Sequence, residues 1–291
     1  MPDERRSARL DRSPGRALVN LAFVGGRLKR KRRALALGID LRWLIALAAV
    51  LVGIAALAVL LDRAAVEWAA TLPPGVRSAF EVVSDVGRSQ WLLVPTGVLV
   101  IGLLMGRWPG IGSRIQAAWA EIGFLSAYVF LAVGGGALLV NAFKQLIGRG
   151  RPVGYDDDGA FSFDPFNFDY GNASFPSGHS TTAGAFIIAG FLIFPRLRPL
   201  FLVVGVAVAL SRIVVGAHYP SDVLAGLALG IGWALVLAGL FAWRGLAFHR
   251  GADGTLAPIC AGVRRAGRSV GWPALLIAPL RALAGPREPL N

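Results

Sequence analysis

Apolar residues run along most of this chain in blocks of about twenty, divided by short polar segments. Trp43 to Leu61 is 19 residues without a charge, long enough to cross roughly 30 Å of hydrocarbon as a helix. Further blocks of this kind fall at 91–106, 122–143, 179–195, 199–217 and 222–243. The pattern predicts six transmembrane helices in an all-α polytopic bundle. It divides the chain into an N-terminal segment over 1–41, a six-span domain over 42–243 and a tail over 244–291.

Composition agrees with that reading. Hydrophobic residues make up 55% and charged residues 16%, against about 45–50% and 25% in soluble domains. The roughly 40-residue polar and basic head is far too long for a cleaved signal, so the first span reads as an uncleaved anchor. A single Cys260 excludes an intramolecular disulfide.

The formal net charge of +13 raises the question of nucleic acid, but its distribution answers against it. If six spans place both ends on one side, that side holds 23 of the 30 Lys and Arg residues. The other side holds seven, with ten acids. The positive-inside bias then puts both termini in the cytoplasm. Lys29-Arg30-Lys31-Arg32-Arg33 reads as a topology anchor on anionic lipid, with no nucleic-acid partner. In the tail, Trp272 to Leu280 is too short to span and is expected on the cytoplasmic surface.

Three polar segments interrupt the apolar pattern. The first is Lys144, six residues, then Arg151-Pro152; the second is Pro176-Ser177-Gly178-His179; the third runs from Ser211-Arg212 to His218 and Asp222. By span parity all three emerge at the same, outer face. Ser177 precedes an apolar helical run and suits an N-cap, whose free N–H groups, with that of Gly178, make an anion site. Arg212 lies six residues before His218, roughly 9 Å down a helix at 1.5 Å per residue, which puts a charge below the interface.

Each residue also has a plainer role. Ser177 and Asp222 suit helix caps, Lys144 and Arg151 suit interfacial anchors, and one histidine alone suggests only a satisfied polar group. Jointly the plain roles weaken, because Lys144 is the one lysine outside the basic head of a chain with 27 Arg and 3 Lys.

The three segments, in this order and spacing, resemble the tripartite signature of the type 2 phosphatidic acid phosphatase family. The likeness covers roughly 144–222 by motif and 42–243 by span layout. It implies an integral-membrane lipid phosphatase working without a metal or cofactor, with a membrane lipid phosphate as substrate and the bilayer as setting. His218 would be the nucleophile, forming a phosphohistidine. Asp222 would accept a hydrogen bond from its other ring nitrogen, and His179 would protonate the leaving oxygen. Lys144, Arg151 and Arg212 would clamp the phosphoryl oxygens, helped by Ser177 and the Gly178 N–H. The setting would be a bacterial inner membrane with the site on the periplasmic face. Undecaprenyl diphosphate is the first expectation for the lipid, with phosphatidate-type lipids close behind and lipid A 1-phosphate and phosphatidylglycerophosphate open. Two other classes stand against this: a vanadate-dependent haloperoxidase, which has a similar anion cradle but is soluble, and a non-catalytic lipid binder or transporter.

The stretch Asp156 to Tyr170 carries Asp156, Asp157, Asp158, Asp164 and Asp169, without calcium-loop spacing. Phe161, Phe163, Phe166, Phe168 and Tyr170 are read first as an interfacial aromatic belt. The sharper alternative is a lid over the phosphate site that also touches lipid chains.

Overall fold

The computed structural model describes residues 41–106, 111–154, 159–169 and 173–284, with Asn20 and Gly25. The Lys29–Arg33 run, Asp156, Asp157, Asp158, Tyr170 and the end of the tail lie outside the described residues.

The six apolar blocks form six helices. They are α1 (Leu41–Leu60), α4 (Gln90–Met105), α5 (Ser113–Ile147), α6 (Gly178–Ile193), α7 (Arg198–Val214) and α8 (Pro220–Arg244). Two short helices, α2 (Asp62–Thr71) and α3 (Pro74–Val86), connect α1 to α4. Among the described residues five segments are long and apolar enough to cross a membrane, the second running from Pro74 to Met105 across α3 and α4; α6 has 16 residues, about 24 Å at 1.5 Å per residue. Most large apolar side chains of α1 stay exposed, as a lipid-facing helix requires, while Val50, Ile54 and Leu57 are half-buried. α5 continues beyond the expected block at both ends. The protein is an integral membrane protein.

Local chemistry sets the helix limits. Ser177 caps α6, its Oγ accepting from the Ser180 backbone N–H at 3.4 Å. Pro220 opens α8 at its first position, where the missing N–H costs nothing. Pro74 does the same for α3.

The chain forms two compact units by contact. The larger comprises the described residues of 33–97 and 124–259. In it α6 packs along α8 and α7, α8 also packs against α1, and α3 packs against α7. The α6–α8 seam is closed by glycine: a Cβ on Gly226 would stand 2.4 Å from the Ser177 carbonyl oxygen, and one on Gly230 2.0 Å from that of Thr181. Small residues let the two backbones approach to this distance.

Past the expected end of the spans at residue 243, a two-stranded antiparallel hairpin, β1 (Phe248–Arg250) and β2 (Leu256–Pro258), packs on α8. It buries Phe248 edge-on against Tyr128, ring centroids 4.7 Å apart. This hairpin and an isolated antiparallel bridge between Arg149 and Phe163 are the departures from an all-helical fold among the described residues.

The smaller unit joins 98–123 to the region from Cys260 onward. There the expected surface patch is a helix, α10 (Trp272–Ala284), preceded by α9 (Ala261–Val270). Trp119 donates its indole N–H to the Leu275 carbonyl at 2.8 Å. Glu121 caps α9, accepting from the Gly262 and Val263 N–H groups at 2.9 and 3.0 Å.

Candidate active site

All three polar segments meet at one end of the larger unit, where α5 and α7 finish and α6 and α8 begin. Lys144 lies on the last turn of α5, and Arg151 follows in the loop. Both are buried, and both donate to the Ala173 carbonyl, Arg151 through Nη2 at 3.2 Å. Arg151 Nη1 also reaches the Ala217 carbonyl at 3.4 Å. Arg212, on the last turn of α7, donates through Nη1 to Ser84 Oγ, and it is a charged neighbour of both Lys144 and His179. Two buried cations and a half-buried third form a field suited to a multiply charged anion.

The link between Arg212 and His218 differs from the expected helical one. α7 stops at Val214, and the chain turns back at Gly216, whose φ of +69° is a left-handed value. The Ala217 and His218 N–H groups then both donate to the Arg212 carbonyl, at 3.0 and 3.2 Å. The 9 Å helical offset is thus replaced by a tight reversal that brings the His218 backbone back onto Arg212. The fifth span shortens accordingly, from an expected end at 217.

Ser177, Gly178 and His179 stand at the start of α6, and the Ser177 N–H donates to the Asp222 carbonyl at 3.1 Å. That bond ties the second segment to the third. His179 is half-buried, and its ring edge is 3.4 Å from the position of a Cβ built on Gly87.

His218 is buried, and its Nδ1 faces Asp222 Oδ2 at 3.6 Å, longer than a hydrogen bond. The Ser174 hydroxyl occupies this gap. It donates to Asp222 Oδ2 at 2.5 Å and lies 3.5 Å from His218 Nδ1. The Tyr219 N–H also donates to Asp222 Oδ2, at 3.1 Å. Burial pushes the His218 imidazole down to about 4, reinforced by Lys144 and Arg151 and opposed by Asp222.

Behind Asp222 lies a set of residues that sequence reasoning missed. Arg149 bonds Asp222 Oδ1 through Nη1 at 2.7 Å and Asp62 Oδ2 through Nη2 at 2.8 Å. Asp62, at the first position of α2, also accepts from the Ser221 N–H at 3.0 Å and hydroxyl at 2.5 Å. Ser84, Ser174 and Ser221 complete the unforeseen polar contacts. The available signal was modest: an acid directly after a long uncharged run, and an arginine inside the Lys144–Arg151 spacing.

The acidic-aromatic stretch is held along the end of α5. The Asp164 and Phe166 N–H groups donate to the Gly148 and Gln145 carbonyls, both at 2.7 Å, and Gly150 N–H donates to the Ser162 carbonyl at 3.0 Å. Phe161, Phe163, Phe166 and Phe168 are exposed. No group of three His, Cys, Asp or Glu poised for a metal ion occurs among the described residues.

Comparison with known proteins places this geometry. A family model described as PAP2 superfamily matches residues 125–246. Lipid A 1-phosphatase of Rhizobium johnstonii is 40% identical over 186 residues, covering 64% of this chain and 76% of that protein. Lipid A 1-phosphatase of Rhizobium etli is 39% identical over 214 residues, covering 74% and 91%. The crystal structure of a transmembrane PAP2 type phosphatidylglycerolphosphate phosphatase from Bacillus subtilis aligns with a TM-score of 0.46 at 23% identity, over 66% of this chain and 94% of that one. With the three motifs assembled at one site and relatives of this likeness along most of their length, the chain belongs to the PAP2 superfamily and is a membrane lipid phosphatase of the PAP2 type.

Proposed function

We propose that this protein removes the 1-phosphate of lipid A through a phosphohistidine intermediate. The observation that carries the chemistry is the pairing of a buried, neutral-leaning His218 with three converging cations. His218 Nε2 attacks phosphorus while Lys144, Arg151 and Arg212 hold the non-bridging oxygens, with Ser177 and the Gly178 N–H beside them. The bond from phosphorus to the lipid oxygen breaks, and His179 gives that oxygen a proton. Asp222 balances the charge that develops on the His218 ring. Water, deprotonated by His179, then attacks phosphorus and releases inorganic phosphate, restoring His218. The cations supply the electrostatic role that a metal fills elsewhere.

The choice of lipid A over undecaprenyl diphosphate is supported by the two Rhizobium relatives, each matched along more than two thirds of its length. A lipid is also supported by an apolar cavity of about 260 Å³ next to His179, lined by Val86, Gly87, Trp91, Thr182, Phe186 and Val208. An acyl chain can enter such a space from the bilayer while the headgroup meets the cations. Charge asymmetry supports cytoplasmic termini and a periplasmic site in a bacterial inner membrane.

The test is phosphate release by the purified protein in detergent, with His218→Ala as the blank. The substrates are lipid A bearing a 1-phosphate, undecaprenyl diphosphate and phosphatidylglycerophosphate. Preferential release from lipid A, absent in the variant, is the expected result. Equal or greater release from undecaprenyl diphosphate overturns the substrate, and full activity in His218→Ala overturns the mechanism.

A further inference from the structure

Asp222 divides its two oxygens between different tasks. Oδ2 is turned toward His218 and the Ser174 hydroxyl, while Oδ1 takes Arg149. Arg149 is 3% exposed and its five N–H donors are all engaged. Nη1 serves Asp222 Oδ1 and Ser221 Oγ, both at 2.7 Å. Nη2 serves Asp62 Oδ2 and the Ala160 carbonyl, both at 2.8 Å, and Nε reaches the same carbonyl at 3.1 Å. The guanidinium also lies over the Tyr219 ring, 4.2 Å from its centroid. With five donors in a fixed fork, Arg149 has none left for a phosphate. It stands apart from Lys144, Arg151 and Arg212 although it sits between two of them in sequence.

Asp62 is the less expected partner. It is fully buried, 87 residues away from Arg149 in sequence, and it grips both Ser221 and Arg149. One guanidinium between two carboxylates leaves the trio with a net negative charge facing His218. A single carboxylate matched by Arg149 would be neutralised as seen from the imidazole. The second carboxylate restores the negative charge, and it locks the first turn of α8 to the end of the first span.

We propose that Asp62 and Arg149 are positioning residues, which together hold the Asp222 carboxylate turned toward His218 and keep its charge available to the cation formed there. This rests on the phosphohistidine reading above. Neither residue contacts the anion in this role, so both should act on turnover and leave substrate affinity nearly untouched.

The experiment compares Asp62→Asn, Arg149→Lys, Arg149→Met and the double variant Asp62→Asn/Arg149→Met. Each is the full-length protein in detergent, assayed for kcat and KM on lipid A 1-phosphate and for inhibition by inorganic phosphate. Asp62→Asn should lower kcat roughly 10–100-fold, with KM and the phosphate inhibition constant within about threefold. Arg149→Met should lose more, because two buried carboxylates then face each other. The double variant should recover about tenfold over Arg149→Met, since the surplus carboxylate is gone, and Arg149→Lys should fall between wild type and Arg149→Met.

Unchanged kcat in Asp62→Asn overturns the proposal. So does a double variant no better than Arg149→Met, which would mark a merely structural pair. If Arg149→Met does not accumulate as folded protein, Asp62→Asn and Arg149→Lys still decide by their split between kcat and KM. Wild-type protein that releases no phosphate is a different result, and it counts against the proposed function itself.

Discussion

Asp222 Oδ2 and His218 Nδ1 face each other at 3.6 Å, with the Ser174 hydroxyl 2.5 Å from the first and 3.5 Å from the second. Ser174 braces the carboxylate oxygen that faces the imidazole, together with the Tyr219 N–H. In the proposed mechanism Asp222→Asn removes the charge that balances the His218 cation and should cost roughly 10²–10⁴-fold in kcat. Ser174→Ala removes only the brace and should cost about tenfold, equivalent to one net hydrogen bond of about 1–1.5 kcal/mol. Steady-state assays beside the His218→Ala blank check both. A larger loss for Ser174→Ala than for Asp222→Asn would reverse this order.

The pH dependence follows from the burial of His218. Its imidazole is held at about 4, below the ordinary value of about 6.5. In the proposed mechanism attack needs the neutral ring, so the acid limb of kcat/KM contributed by His218 should lie near 4. The charged groups acting on the ring are Asp222, which raises it, and Lys144 and Arg151, which lower it. Lys144→Gln should therefore move this limb to higher pH even as it weakens the reaction. Stability carries the same linkage. Between about 4 and 6.5 the unfolded chain binds the proton and the folded protein does not. The His218 contribution is present in full above about 6.5 and is lost as pH falls toward 4. Measuring kcat/KM and thermal unfolding across pH 3.5–8 tests both trends together.

The cation cluster makes a prediction about metals and anions. Lys144 and Arg151 come from the first polar segment and Arg212 from the third, yet they converge, with Ala173 receiving two of them. Activity should persist in excess chelator, and vanadate should inhibit by occupying the same cradle. Arg212→Lys keeps the charge but loses the planar fork, and should weaken kcat/KM by roughly 10–100-fold, about 1.4 kcal/mol for each factor of ten. Loss of activity in chelator, restored by a divalent ion, would contradict a purely cationic cradle.

Much of this site was legible because its motifs are local. An uncharged run of about twenty residues has few alternatives to a span, so parity alone placed the three segments at one face. Ser177 could be read as an N-cap because capping is decided within four residues. The Arg212–His218 geometry was misread for the opposite reason: periodicity carried the helix through Gly216, where the chain in fact reverses. Asp62 and Arg149 were not legible, because their meaning comes from a contact across 87 positions. Nothing near Asp62 distinguishes it from an acid at the end of a span. The burial that makes the pair consequential exists only once α1, α5 and α8 have packed.

That packing depends on the α6–α8 seam, where stability and catalysis should fail together. The Gly226 Cα lies against the Ser177 carbonyl, and Ser177 N–H bonds the Asp222 carbonyl at 3.1 Å. A methyl group there would begin 2.4 Å from the carbonyl oxygen, so α6 must move and take Ser177 and His179 with it. Gly226→Ala should destabilise the protein by about 1–3 kcal/mol, as overpacking does, and lower kcat at least tenfold. Gly232 and Gly239 lie on the same helix with nothing within 4 Å of a built Cβ. Alanine at either should leave activity intact, and the gain in helix propensity should stabilise by up to about 1 kcal/mol. Thermal unfolding and phosphate release on the three variants separate the cases. If all three behave alike, helix propensity governs the seam and its close approach does not position the site.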